Sequence, residues 1–164
     1  MTVEELAYIA GFLDGDGCVM LQLVSRRDYV LGYQIRASVV FYQKQQNRHF
    51  LEWLKEQLLY GYIRNRNDGM SEYTIVGVTP VTNILKMLFP HLRLKKKQAE
   101  VCFSVLEQMP GNGQKMDAKL LYRLALKVDK FAILNYSKKR TNTSKQVENF
   151  LKSHKLFDPV ETDS

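Results

Sequence analysis

Residues 9–17 read Ile9-Ala10-Gly11-Phe12-Leu13-Asp14-Gly15-Asp16-Gly17, an apolar stretch that ends in two carboxylates set among glycines. Thr2-Val3-Glu4-Glu5 just ahead of it has the form of a capping box, so a helix should start there. It is predicted to run to about Phe12 or Leu13, with Gly15 and Gly17 ending it. Gly11 and Gly15 lie one turn apart and, with Ala10, leave room for a second helix to approach closely. A carboxylate at a helix C-terminus faces the negative end of the macrodipole. Two of them are unfavourable there unless something positive joins them, and a divalent cation would do so. The segment occurs once in the chain.

Working outward, residues 18–24 and 33–42 are rich in Val, Leu, Ile, Tyr and Phe and predict two strands, with the charged Ser25-Arg26-Arg27-Asp28 between them. Phe50, Leu51, Leu54 and Leu58 recur at helical spacing, and Gly61 stands where a C-terminal cap is expected. A second hairpin follows, Tyr62 to Arg66 and Glu72 to Val78, turning at Asn67-Asp68-Gly69. Thr79-Pro80 predicts a helix start and Pro90 its end. Further helices are predicted over 95–109, stopped by Pro110-Gly-Asn-Gly113, and over about 117–134, with Leu120, Leu121, Leu124, Val128 and Phe131 inward. Asn135 to Thr143 reads as a loop, and Ser144 to Ser153 as a short helix before an acidic tail from about 156.

The order is α-β-β-α-β-β-α followed by more helices, an α+β class in which two hairpins give a four-stranded antiparallel sheet covered on one face. Alternation places Gln22, Val24 and Arg26 on one face of their strand, and likewise Gln34, Arg36, Ser38 and Val40, and Tyr62, Arg64 and Arg66. Such a face is either simply solvated or a reader of base edges, since Gln and Arg pair bidentately with adenine and guanine in the major groove.

At 164 residues the chain is expected to form one domain, 1–164. Its 24 Lys+Arg against 17 Asp+Glu give a net charge of +7, which points to a polyanionic partner, most simply nucleic acid. Cys18 and Cys102 form no CxxC, and His49, His91 and His154 no metal-binding cluster, so neither a disulfide framework nor a zinc site is implied. No signal peptide and no apolar run of the roughly 20 residues that span a bilayer is visible, so a soluble protein without a membrane partner is expected.

Residues 9–17 resemble the signature of the LAGLIDADG homing endonucleases, with Ile9, Phe12, Leu13 and Gly15 as tolerated variants, and the element order matches that family over nearly the whole chain. The resemblance implies a saddle-shaped DNA-binding sheet and a site-specific endonuclease, with no small-molecule substrate. It assigns Asp16 as the metal ligand, with the carbonyl of Gly15 beside it, and makes Asp14 structural. Mg²⁺ suits so few carboxylates; Mn²⁺ is the expected substitute, and Ca²⁺ is expected to support binding without cleavage. Gln43 matches a glutamine that orders water near the scissile phosphate, and Lys95, in Arg93-Leu94-Lys95-Lys96-Lys97-Gln98, a lysine that counters phosphate charge. The family's basic residue after the glutamine is Asn47 here, with Arg48 next to it as a candidate replacement.

One motif provides one Asp16, whereas breaking a duplex requires two hydrolyses. The resemblance therefore implies a homodimer joined along the first helix, with Tyr8, Ala10, Gly11, Phe12, Leu13 and Asp14 at the seam. Two-fold symmetry implies a pseudo-palindromic target, cleaved across the minor groove to leave 3′ overhangs. Expected DNA contacts are the sheet residues above together with Tyr29, Asn47 and Thr74. A basic loop, Tyr136, Ser137, Lys138, Lys139 and Arg140 with Thr141, is expected to touch phosphates. The alternative is a DNA- or RNA-binding maturase or regulator on the same fold, and Asn47 is the residue that favours it. An organellar location, chloroplast or mitochondrion, is inferred from the family.

Overall fold

The computed structural model describes residues 1–111, 113–135 and 140–157. Helix α1 spans Val3–Asp16, strand β1 Gly17–Ser25 and strand β2 Tyr33–Lys44. Helix α2 (Arg48–Leu58) leads to β3 (Tyr62–Asn65), β4 (Met70–Val76) and α3 (Val78–Leu88). Helices α4 (Lys96–Leu106), α5 (Ala118–Leu134) and α6 (Ser144–Ser153) complete the order. The four strands form one sheet in the order β1-β2-β4-β3, so the two hairpins meet through β2 and β4. Their antiparallel register sets Val40 against Thr74 and Thr74 against Tyr62. The α+β class and the four-stranded sheet are as the sequence predicts.

Several boundaries differ from the sequence reading. The Thr2–Glu5 capping box is formed in both directions, but α1 continues past Leu13 to Asp16 and only Gly17 caps it. Helix α2 ends with Leu59, not Gly61, in the left-handed region at φ 68°. Gly61 serves a different need: its φ is +82°, and a Cβ there would lie 2.2 Å from the carbonyl oxygen of Thr74. Helix α3 begins one residue after Gly77, ahead of the predicted Thr79-Pro80 start, and Pro80 sits in its first turn, where no amide is needed. Helix α4 is shorter than the predicted 95–109.

The chain clusters into two compact units, Met1–Met20 with Ala37–Phe103, and Leu21–Arg36 with Ser104–Ser164. In the first, α1 packs on α3, and α2 on β3 and β4. Ile9, Leu13, Phe41, Leu51, Leu54, Tyr73, Ile75 and Leu85 are fully buried there. Burial drives the Tyr73 hydroxyl well above the ordinary tyrosine range, and it donates to the Tyr60 carbonyl. In the second, α5 packs on α6 through Leu121, Leu124, Val128, Phe131, Val147 and Leu151. Ala118 and Ala125 join the buried stripe of α5, while Leu120 is only half-buried. Asp129 ties Arg140 and the start of α6 together, accepting from the Arg140 guanidinium at 2.5 Å and the Ser144 backbone at 3.1 Å.

Candidate nucleic-acid and metal site

The tip of α1 separates its two carboxylates. Asp14 is fastened to the segment before α4: its Oδ2 accepts from the Arg93 backbone N–H at 2.7 Å and its Oδ1 from that of Lys95 at 3.0 Å. Lys95 Nζ in turn donates to the Asp14 carbonyl oxygen at 2.6 Å. These contacts explain why α1 outlasts its glycine: Gly17 N–H satisfies the Leu13 carbonyl and Lys95 the Asp14 carbonyl, two groups that a helix end otherwise leaves unpaired. Two backbone donors and a lysine also offset the unfavourable meeting of Asp14 with the helix dipole.

Asp16 is exposed, and among the described residues its carboxylate makes no hydrogen bond or ion pair. With Gly15, Tyr42, Gln43 and Asn47 it lines a cleft of about 630 Å³. Gln43 Oε1 accepts from the Lys44 N–H at 3.2 Å and from Asn47 Nδ2 at 3.1 Å. Among the described residues no three His, Cys, Asp or Glu side chains gather into a metal cage. The charged donor that the cleft offers a cation is the Asp16 carboxylate, among neutral oxygen-bearing side chains such as Gln43 and Asn47. That set suits a hard divalent ion that keeps several waters. Cys18, close by, has its thiol pushed up by burial, with Lys95 pulling it back down in part.

Arg48 does not take the place offered to it by sequence adjacency. Its Nε binds Glu52 at 3.2 Å and its Nη1 binds Asn65 Oδ1 at 2.6 Å, the same oxygen that accepts from the buried Ser71 hydroxyl. Arg48, the first residue of α2, turns to β3, whereas Asn47, the non-helical residue before it, turns to the cleft.

On the strands and at the first residues beyond them, Gln22, Arg36, Tyr62, Arg64 and Arg66 are exposed, and Val24, Arg26 and Gln34 half-buried, as alternation predicts. Ser38, Val40 and Thr74 are not available in the same way. Their exposures are 2%, 4% and 6%, and all three lie on the central strands β2 and β4. Three of the four arginines, Arg26, Arg64 and Arg66, are held by carboxylates. Arg26 grips Asp28 with two bonds, 2.9 and 2.7 Å, donates to Gln34 Oε1 at 3.0 Å and covers the Tyr29 ring. Arg64 binds Glu72 at 2.5 Å, and Arg66 binds Asp68 at 2.8 Å. Arg140 is spent on Asp129, and Thr141 is exposed; Tyr136, Ser137, Lys138 and Lys139 lie outside the described residues.

Of the expected seam residues, Ala10 and Leu13 are corrected: both have zero exposure and turn into this chain's own core. Gly11 and Gly15 face open space, with no atom within 4 Å of a Cβ built on either. Tyr8 is 58% exposed and meets Phe50 and Trp53 edge-on, while Phe12 lies half-buried against Phe41 and Phe50. Sequence reading missed Leu94, 74% exposed between the two residues that Asp14 fastens. An isolated leucine in so short a segment carries no periodicity to mark it.

Comparison with known proteins agrees with this geometry. Residues 9–100 match the family model described as LAGLIDADG endonuclease. The chain is 38% identical over 148 residues to the DNA endonuclease I-CvuI of Chlorella vulgaris, covering 90% of each protein. It is 37% identical over 150 residues to the DNA endonuclease I-CreI of Chlamydomonas reinhardtii, covering 92% of this chain and 90% of that one. The crystal structure of I-CvuI with its target in the presence of 2 mM Ca superposes with a TM-score of 0.89 over 94% of this chain and 97% of that one, at 37% identity. The chain belongs to the LAGLIDADG endonuclease family.

Proposed function

We propose that this protein is a site-specific, metal-dependent DNA endonuclease of the homing type, acting as a homodimer on a long pseudo-palindromic duplex. The observation that carries the reading is the division of labour at the tip of α1. Asp14 is consumed in fastening the tip, and Asp16 is left free in a cleft beside Gln43. A protein that only bound nucleic acid would gain nothing from an unpaired acid placed against phosphates.

The Asp16 carboxylate and the Gly15 carbonyl would hold Mg²⁺, which supplies a more acidic water and a Lewis acid for the departing 3′ oxygen. Gln43 faces the scissile phosphate and orders water there. Lys95, held at the helix tip, adds positive charge beside the reacting group. Mn²⁺ would substitute for Mg²⁺, and Ca²⁺ would support binding without cleavage.

The dimer seam would run along the open Gly11–Gly15 face of α1, flanked by Tyr8 and Leu94, and would bring two Asp16 residues to one axis. Sites so close act across the minor groove and leave 3′ overhangs. Arg26, Gln34, Arg36, Arg64 and Arg66 would read bases, and the basic residues around 137–141 would contact the DNA backbone. No helix among the described residues is long and apolar enough to cross a membrane; an organellar site of action is part of the proposal.

The test is incubation with a randomised duplex library and Mg²⁺, for the natural protein and for Asp16→Asn. Cleavage at a defined sequence, lost in the variant while binding persists, is expected. Specific binding with no cleavage by the natural protein would overturn the reading in favour of a maturase or regulator.

A further inference from the structure

The position at which the family motif expects a basic residue holds Asn47, and its side chain has an assignment of its own. Asn47 is the N-cap residue of α2, where an asparagine ordinarily accepts from the backbone of the first turn. Here it makes no such cap. It reaches back instead to the end of β2 and donates to Gln43 Oε1 at 3.1 Å.

The direction of that bond is fixed by chemistry. Gln43 Oε1 also accepts from the Lys44 backbone at 3.2 Å, and a backbone N–H can give its proton only to the oxygen of the amide. The atom of Gln43 at this point is therefore oxygen, and the Asn47 atom that meets it must be the NH₂ group. With both lone pairs of Oε1 occupied, the Gln43 NH₂ is the only end of the amide free to act. The cleft that Gln43 shares with Asp16 would meet a donor of two hydrogens and no acceptor. Arg48, the other candidate at this place, is turned away to Glu52 and Asn65.

We infer that Asn47 is a positioning residue that locks the Gln43 amide with its NH₂ toward the cleft, so that Gln43 serves only as a donor to phosphate or water oxygen. The inference rests on the nuclease reading for its catalytic consequence, but not for the geometry. Without Asn47 the amide is held by one bond to its neighbour and can rotate, presenting oxygen to an anionic phosphate part of the time.

Two measurements separate these levels. In the first, the side-chain amide signals of Gln43 are followed by ¹⁵N NMR in the natural protein and in Asn47→Ala. A clear shift of the Gln43 NH₂ pair, with the fold otherwise unchanged, is expected; unmoved signals would overturn the pairing whatever the protein cleaves. In the second, single-turnover cleavage, DNA Kd and Tm are measured for Asn47→Ala, Gln43→Ala and the double variant on a selected target. Asn47→Ala should lower the cleavage rate about 10-fold, with Kd and Tm held, and should add nothing in the Gln43→Ala background. An equal loss in both backgrounds, or a loss confined to Kd or Tm, would make Asn47 a phosphate contact or a structural residue and overturn the positioning role. Failure of the natural protein to cleave any target would instead overturn the nuclease reading and its catalytic consequence, leaving the NMR result to decide the bond.

Discussion

At the tip of α1, Asp14 is fastened by two backbone N–H groups and its carbonyl by a lysine, whereas the side chains of Arg64 on β3 and of Arg26 and Arg66 at the ends of β1 and β3 are fastened only by other side chains. The first arrangement is rigid because the backbone donors cannot move without moving the chain. The second is exchangeable at Arg26–Asp28 and Arg66–Asp68, where both side chains are exposed, because such ion pairs contribute little, about 0–1 kcal/mol each. A duplex could draw these arginines from their carboxylates at small cost. The same fold thus holds its proposed chemistry in place and keeps its proposed reading surface adjustable, with Asp28, Glu72 and Asp68 preventing the arginines from wandering before the partner arrives.

That contrast can be broken at several points. The largest effect on stability is expected from Asp14→Asn. An amide offers one acceptor to the two N–H groups of Arg93 and Lys95, so one donor would face an NH₂ group. A loss of about 2–3 kcal/mol in chemical denaturation is predicted. On the strands, Arg64→Ala should lower the denaturation midpoint less than Asp14→Asn does, although it leaves the Glu72 carboxylate with only Arg66 at 3.9 Å. If Arg64 reads a base, the variant should lose about 1–3 kcal/mol of discrimination at one position of a selected target, measured by competition binding. Glu72→Gln is gentler still. It removes the charge that holds Arg64 and lies 3.9 Å from Arg66. Freed cations should steepen the slope of log K against log salt by about one to two. The smallest effect concerns the thiols: burial pushes Cys18 up and Cys102 up to about 12. Raised values mean less thiolate at a given pH. At pH 8 Cys18 should therefore react more slowly with a thiol reagent than free cysteine, and Cys102 only on unfolding.

Much of this was legible in the sequence because it depends on local pattern. The capping box at Thr2, the alternation along β1 and β2 and the Asn67–Gly69 turn need only neighbours to be read. What was not legible depends on residues far apart. Helix α1 passes Gly15 because Lys95, about eighty residues away, satisfies the carbonyl of Asp14. Arg48 looked like a substitute for a missing basic residue, yet Asn65 and Glu52 claim it. Ser38, Val40 and Thr74 have the parity of reading residues, but on the central strands of the folded chain all three are buried. Ala10 and Leu13 belong to the motif by sequence and to the core by geometry. The motif identified the helix; the contacts decided which of its faces is free.

The most direct test of the divided helix tip is to measure Tm and single-turnover cleavage side by side for the natural protein, Asp14→Asn and Asp16→Asn. Asp16→Asn should keep the natural Tm and DNA affinity while losing cleavage by at least about 1000-fold, and Asp14→Asn should lower Tm. Cleavage that survives Asp16→Asn, or a Tm that falls as far with Asp16→Asn as with Asp14→Asn, would contradict the account.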